Sequence, residues 1–358
     1  MAHSSTWQSI HEGLGQDIQM LLCVYTNQDQ NNASSVFPVT PPVSKKFEVL
    51  ISMMIRNQTK IAEFVLLGFG EFYKVQTLLF LSFLVIYAVA LTGNALIVAL
   101  VLFDRHLHTP MYFFLGNLSF LEVFYTSNIF PRVLSALLTG NKMISFNSCF
   151  TQWYLFGSLE ATECCLLCAM SYDRYLAICK PLHYAAIMQA QTCIQLVVAS
   201  WVNGFVTFVI LLHLMLQLTF CGSNEMDHYF CDYFSLLNLS CTDTSLIEIM
   251  GFILAVLFTL PPFLLTLISY IYIIAAVLKI PSTTGRQKAF STCSSHLLVV
   301  SIFYGSLMVV YMLPKNNVNR NTQKISSLLY TALPPLTNPF IYSLRNKEVK
   351  ETLRNSIR

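Results

Sequence analysis

Four stretches of this chain, 75–103, 249–278, 289–314 and 325–344, contain no Asp, Glu, Lys or Arg, and a fifth uncharged run covers 181–224. A helix needs about 20 mostly apolar residues to cross about 30 Å of hydrocarbon. Runs of this length, repeated along one chain, leave a multispanning membrane protein as the fold class. Composition agrees: 55% of residues are hydrophobic and 11% charged, where a soluble domain carries roughly 45–50% and roughly 25%. Wholesale disorder is excluded, because it requires low hydrophobicity. A net charge of +3, scattered along the chain, excludes a nucleic-acid partner.

The 181–224 run opens on a polar turn around His183 and closes on Cys221-Gly222-Ser223-Asn224, so it holds one helix, about 192–217. Two further apolar segments carry acid: about 110–134 holds Glu122, and about 149–173 holds Glu160 and Glu163. With 75–103, 246–278, 289–313 and 325–344 these make seven helical spans and an all-α bundle. If the N-terminus is outside, the inner loops and tail carry Arg105, Arg174, Lys180, Lys279, Arg286, Lys288, Arg345, Lys347, Lys350, Arg354 and Arg358, against Lys142, Lys315, Arg320 and Lys324 outside. That bias predicts N-terminus out and C-terminus in.

Residues 1–56 are polar, Asn/Gln/Ser-rich and contain Pro38, Pro41 and Pro42, which predicts a disordered outer tail without a secretory signal peptide. The helical domain runs over 57–345 and a short inner tail over 346–358. Asn57-Gln58-Thr59 is a glycosylation sequon just before the first span; Asn32 and Asn238 head two more on the outer side, and Asn117 heads one inside a span. No internal repeat is visible, which weakens an inverted-repeat transporter.

Ionisable residues within spans are candidates for function, since burying them is costly. Glu122 lies at a depth similar to Asn94 of span 1 and Asn338 of span 7. That cluster could bind a cation or proton, rearrange between two states, or tie helices together through a protonated acid. Asp173-Arg174-Tyr175 closes span 3; the pair is either an interfacial anchor or a switchable ion pair. Glu160 and Glu163, three apart, share roughly one face, and interior hydrogen bonding suits them better than proton chemistry, as no nucleophile accompanies them. His213 and His296 read as satisfied polar groups between helices. Pro261-Pro262, Pro334-Pro335 and Pro339 are expected to interrupt spans 5 and 7.

Of the eleven cysteines, Cys164, Cys165, Cys168, Cys179, Cys193 and Cys293 lie in or beside apolar stretches and behave as small hydrophobes, while Cys149, Cys221, Cys231 and Cys241 adjoin polar connections and are the disulfide candidates. Glu163-Cys164-Cys165-x-x-Cys168 lacks a spaced His partner, so no metal or cofactor is expected. No nucleophile–base set can be assembled for an enzyme. A channel or transporter using Glu122, Glu160 and Glu163 remains as a second class.

Taken in order, several strings carry a family resemblance. They are Gly93-Asn94, LHTPMYFFLGNLSFLE at 107–122, MSYDRYLAICKPLHY at 170–184, SY at 269–270, KAFSTCSSHL at 288–297, FYG at 303–305 and PPLTNPFIYSLRNKEV at 334–349. From about residue 57 to 353 the chain resembles a vertebrate olfactory receptor of the rhodopsin-like G-protein-coupled class. Small departures are Ser171 for the usual Ala, Glu122 for the commoner Asp and Thr337 for Leu. The family begins a few residues before its sequon, near Met53-Met54, so residues 1–52 would be an extension without a role in binding.

The resemblance implies that Cys149 pairs with Cys231, and Cys221 with Cys241. It makes Arg174, within Asp173-Arg174-Tyr175, the G-protein switch, with Tyr270 and Tyr342 as inner partners. Glu122 and Asn338 would occupy the sodium-site region, beside Asn94. Phe156, Gly157, Glu160 and Ala161, with Leu254, Ala255 and Phe258, and Tyr304, Leu307, Met308 and Tyr311, would line a pocket for a small odorant. The implied partner is a stimulatory, olfactory-type G protein that raises cyclic AMP, at the plasma membrane.

Overall fold

The computed structural model describes residues 62–69, 73–220, 223–312 and 320–345. The tails 1–56 and 346–358, and with them Asn32, Asn57 and residues 1–52, lie outside the described residues, as does Cys221. The described chain is mostly helical: α1 (Tyr73–Phe103), α2 (Pro110–Thr139), α3 (Phe146–Cys179), a short α4 (Pro181–Ile187), α5 (Ala190–Met215), a short α6 (Tyr233–Leu237), α7 (Ser245–Leu278), α8 (Thr283–Met312), α9 (Arg320–Thr331) and α10 (Leu333–Arg345). Each of the seven expected spans falls on one long helix, except the last, which α9 and α10 share.

Local chemistry sets the ends. After α1, the Asp104 carboxylate accepts the His106 amide at 2.9 Å and starts a 3-10 turn, Arg105–Leu107. Proline at the first position of α2 loses no helical bond. Gly140 ends α2 with φ +73°, a left-handed conformation that suits glycine, and donates its N–H to the Ala136 carbonyl at 3.0 Å. The Ser145 hydroxyl caps α3 by accepting the Ser148 amide at 3.3 Å. α3 therefore overruns the expected 149–173 at both ends, because the cap lies before the apolar run and the helix continues past Asp173.

Proline behaves differently in the two spans where it was expected to act. α7 runs through Pro261 and Pro262 without ending; membrane helices tolerate proline where neighbouring groups re-satisfy the freed backbone. Span 7 does break, at Ala332, and α10 restarts with Pro334 and Pro335 in its first turn.

α3 is the centre of the bundle. It packs on α2, α5 and α7, while α1 packs on α2 and α10. Leu166, Leu167 and Met170 of α3 are fully buried. By contrast only 11% of the most apolar window of α7 is buried, against 28% for α1 and α5. These three helices are long and apolar enough to cross a membrane by length and composition alone. The α3–α5 seam relies on small residues: a Cβ on Gly204 would lie 2.2 Å from the Thr162 hydroxyl and 2.4 Å from the Ser158 carbonyl.

A three-stranded sheet was not anticipated. β1 (Glu63–Leu66) lies between β2 (Met143–Ser145), antiparallel with Phe64 opposite Ile144, and β3 (Glu225–Met226), parallel with Val65 opposite Glu225. Phe64 is fully buried, stacked on Phe146 at 5.8 Å and edge-on to Phe220 at 5.6 Å.

Candidate functional site

The sheet sits at the end of the bundle where α3 begins, and there Cys149 is bonded to Cys231 across 82 residues of sequence. Gln152, one turn along α3, fixes the loop: its Oε1 accepts the Cys231 amide at 2.9 Å. Its Nε2 donates to the Asn128 carbonyl of α2 at 2.8 Å, and Asn128 Nδ2 returns the bond to the Gln152 carbonyl at 2.8 Å. The same loop is tied to α9 by the Lys324–Asp227 ion pair, by His228 to Ser327 at 3.1 Å and by Tyr229 to Thr331 at 2.9 Å. Burial holds His228 below the usual imidazole range, so it is a neutral hydrogen-bonding ring here. Burial likewise pushes the Tyr233 phenol of α6 up to about 12. Cys241 is disulfide-bonded; its expected partner, Cys221, is outside the described residues.

Below this, the expected pocket residues divide. Phe156 is buried among Tyr125, Phe230 and Tyr330, with ring centroids 5.0, 5.2 and 5.8 Å away. Glu160 is half-buried on the same helix, Leu254 and Leu307 are buried, and Phe258 and Ala161 are partly so. Tyr304 is buried, meets Phe263 at 4.9 Å and directs its hydroxyl to the Cys164 carbonyl at 3.5 Å.

Three of the expected pocket residues lie elsewhere. Gly157 points at α5, where a Cβ would meet the Phe208 ring at 2.0 Å. It is a helix-packing glycine, 100° around α3 from Phe156. Ala255 is exposed, one residue round from Leu254, and Met308 is 43% exposed on the flank of α8. The side chain of Tyr311 lies outside the described ones. His213, expected between helices, is exposed and bonds Gln217, just past the end of α5, at 3.0 Å.

At mid-depth a polar core joins α1, α2 and α10. Asn338 Nδ2 donates to Glu122 Oε1 at 2.7 Å. Asn94 Nδ2 donates to the Ala90 carbonyl at 2.9 Å and to the Pro335 carbonyl at 3.0 Å. In a regular helix the Pro335 carbonyl would accept from residue 339, but Pro339 has no N–H. Asn94 supplies the missing donor. Gly93 makes the approach possible, since a Cβ there would stand 2.8 Å from Pro339 Cβ. Glu163, buried in α3, lies within Coulombic reach of Glu122 and Glu160. Among the described residues, Asn94 Oδ1, Glu122 Oε2, Glu163 Oε1 and Asn338 Oδ1 are buried acceptors without a hydrogen-bond partner. An acceptor-rich set of this kind fits a small hard cation, and fits equally a shared proton.

At the other end of α3, the fully buried Asp173 carboxylate accepts two bonds from Arg174, at 3.0 and 2.7 Å, through Oδ2. Its Oδ1 accepts the Tyr184 hydroxyl of α4 at 2.8 Å. Burial, then the Asp173 charge, pushes the Tyr184 phenol up, so it stays a donor. Tyr184 was not singled out from sequence, although it lies within the 170–184 string. Tyr175 stacks near Tyr172 and meets Tyr272 edge-on. Tyr270 and Tyr342, expected partners of Arg174, do not hydrogen-bond it here. Tyr270 bonds His296 Nδ1 at 2.6 Å, and the buried Tyr342 hydroxyl has no hydrogen-bond partner among the described residues. Both are nonetheless within Coulombic reach of Arg174.

Comparison with known proteins agrees with this arrangement. Residues 83–357 match the olfactory receptor family. Human olfactory receptor 2AP1 is 48% identical over 304 residues, covering 85% of this chain and 98% of that protein. Human olfactory receptor 10A5 is 49% identical over 302 residues, 84% of this chain and 95% of its own length. Mouse olfactory receptor 6E1 is 46% identical, covering 84% and 96%. The crystal structure of squid rhodopsin superposes with a TM-score of 0.64 over 79% of this chain and 80% of its own, at 17% identity, a likeness of fold alone. The chain belongs to the olfactory receptor family, the non-enzymatic, multi-pass membrane receptors of the rhodopsin-like G-protein-coupled class.

Proposed function

We propose that this receptor binds a small, largely apolar odorant between α3, α7 and α8 and activates a stimulatory, olfactory-type G protein, raising cyclic AMP. The N-terminus and the disulfide end face outside the plasma membrane, and Asp173, Arg174 and the C-terminus face the cytoplasm, as the basic loops favour. Residues 1–56 form an outer tail, of which 1–52 play no part in binding. Family relatives are matched almost end to end while 85% of this chain is used, which supports that division.

Phe156, Glu160, Ala161, Leu254, Phe258, Tyr304 and Leu307 are the contacts retained from the expected set. An apolar pocket with few polar groups suits a lipophilic molecule. With ~10 heavy atoms at ~0.5 kcal/mol each, affinity is about 5 kcal/mol, or hundreds of micromolar, so broad and weak binding follows from size. The ligand signals only by favouring one arrangement of the bundle over another. The polar core of Asn94, Glu122 and Asn338, with Glu163, holds a cation or proton in the resting arrangement.

The observation that carries the reading is the Asp173 clamp. Its carboxylate holds Arg174 in a resting pair, while Tyr270 and Tyr342 wait nearby with other or no partners. On activation α8 moves away, Arg174 leaves Asp173, and Tyr270 and Tyr342 become its neighbours beside the G protein. A panel of volatile ligands with a cyclic AMP reporter tests this: at least one ligand should raise cyclic AMP, and Glu160→Gln should reorder ligand preference. Ligand-evoked current without cyclic AMP would favour a channel, and an unchanged rank order would remove Glu160 from the site.

A further inference from the structure

A cavity of about 860 Å³ lies on the flank of the bundle between α3, α5 and α7. Its walls run out into the exposed apolar surface: Val202, Val206 and Leu265, all lining it, are 54%, 56% and 56% exposed. In a membrane this surface meets hydrocarbon, not water. Phe258 is the only lining residue it shares with the odorant contacts proposed above.

On α5 and α7 the polar side chains of its wall are of two kinds. Ser200, Thr207 and Ser269 donate to the carbonyl one turn back on their own helices, at 2.8, 2.7 and 2.8 Å. Such back-bonding satisfies a hydroxyl without a partner from outside. Asn203 does not do this. Its Nδ2 donates to the thiol of Cys165 at 3.2 Å, a weak acceptor, and among the described residues its Oδ1 accepts nothing. An amide oxygen facing hydrocarbon without a donor is unfavourable.

Depth decides what could supply that donor. Asn203 stands at the middle of α5 (Ala190–Met215). The headgroups of phospholipids and the hydroxyl of a membrane sterol stay at the interface, about 15 Å from the midplane. Acyl chains reach the midplane but carry no donor. A molecule that brings a hydroxyl to this depth must be small, mostly hydrocarbon and dissolved in the bilayer core. The volume lies within the roughly 300–1,000 Å³ typical of small-molecule sites.

We propose that this flank is a second, bilayer-facing binding site for a small lipophilic alcohol. Its hydroxyl donates to Asn203 Oδ1, and its hydrocarbon lies along Val206, Phe258 and Leu265. The site is reached from the membrane and bridges α5 to α7.

The test uses the full-length receptor in lipid nanodiscs and two photoreactive diazirine probes, one an octanol and the other the matching octane without the hydroxyl. Adducts are mapped by mass spectrometry. The octanol probe should label the α5 and α7 residues of the cavity, excess 1-octanol should protect them, and the octane probe should label them several-fold less. Asn203→Leu should raise the 1-octanol concentration for half-protection about fivefold, the scale of one hydrogen bond within a membrane. Equal labelling by the two probes in the unaltered receptor overturns the proposal, as does absence of adducts in the cavity or unchanged protection in Asn203→Leu. Should that variant fail to fold, the two-probe comparison decides alone.

Discussion

The two ends of the bundle are held together by different kinds of bond. At the Cys149 end, a disulfide, a three-stranded sheet, a reciprocal amide pair between Asn128 and Gln152 and three polar ties to α9 converge on one loop. At the Asp173 end, among the described residues, the elements meet through an apolar cluster of Tyr270, Ile273, Val277 and Cys293 and through single polar bonds, such as Tyr184 to Asp173 and Tyr270 to His296. The first end can yield only by breaking covalent and sheet structure. The second can exchange partners without unfolding anything. The proposed function, a pocket shaped at one end and a helix moved at the other, uses this asymmetry.

Breaking the braced end should have the largest effect. Cys149→Ser opens a loop of 82 residues, worth about 4.5 kcal/mol on the chain-entropy account, and should abolish surface delivery. Cys179→Ser, a partly buried free thiol near the other end, should be mild. Equal surface labelling of Cys149→Ser and the parent would erase the contrast. Next, Phe64→Ala removes a fully buried ring from the sheet and should cost about 3 kcal/mol, read as a lowered melting temperature in detergent or nanodiscs. An unchanged melt would make β1 an ornament of the loop rather than part of its brace.

A smaller effect comes from pH. Burial holds His228 below its ordinary value, with Asp227, Asp232 and Lys324 as its charged neighbours. A depressed imidazole contributes stability that is full above about pH 6.5, its unfolded value, and is lost as pH falls below that toward its folded value. Melting temperature should therefore drop on acidification, and His228→Gln should flatten that slope. If both proteins lose stability equally, the histidine is not the group responsible.

The comparison also explains what could be read in the sequence. Among the spans legible as uncharged runs, α1, α5 and α7 have much of their apolar surface turned outward. The central α3 was harder to recognise because Gln152, Glu160, Glu163 and Asp173 interrupt its apolar run, and they do so because it is central. The Glu122–Asn338 pair was legible from depth alone. The Asn94–Pro335 bond was not, since it depends on a carbonyl freed by Pro339 on a distant helix. β1 is four residues long and has no pattern apart from its partners. Gly157, Ala255 and Met308 were misplaced because each stands beside a buried residue, and a step of 100° or less around a helix separates a pocket wall from a packing seam or the lipid.

The direct test of the exchangeable end is cyclic AMP at matched surface expression, with and without ligand, for Arg174→Ala and Asp173→Asn. The pocket lies about 14 residues up α3, about 20 Å away at 1.5 Å rise, so binding should survive both changes. Arg174→Ala should remove the ligand response, and Asp173→Asn should raise basal cyclic AMP by weakening the hold on Arg174. A normal ligand response from Arg174→Ala would reduce that residue to an interfacial anchor and contradict the account.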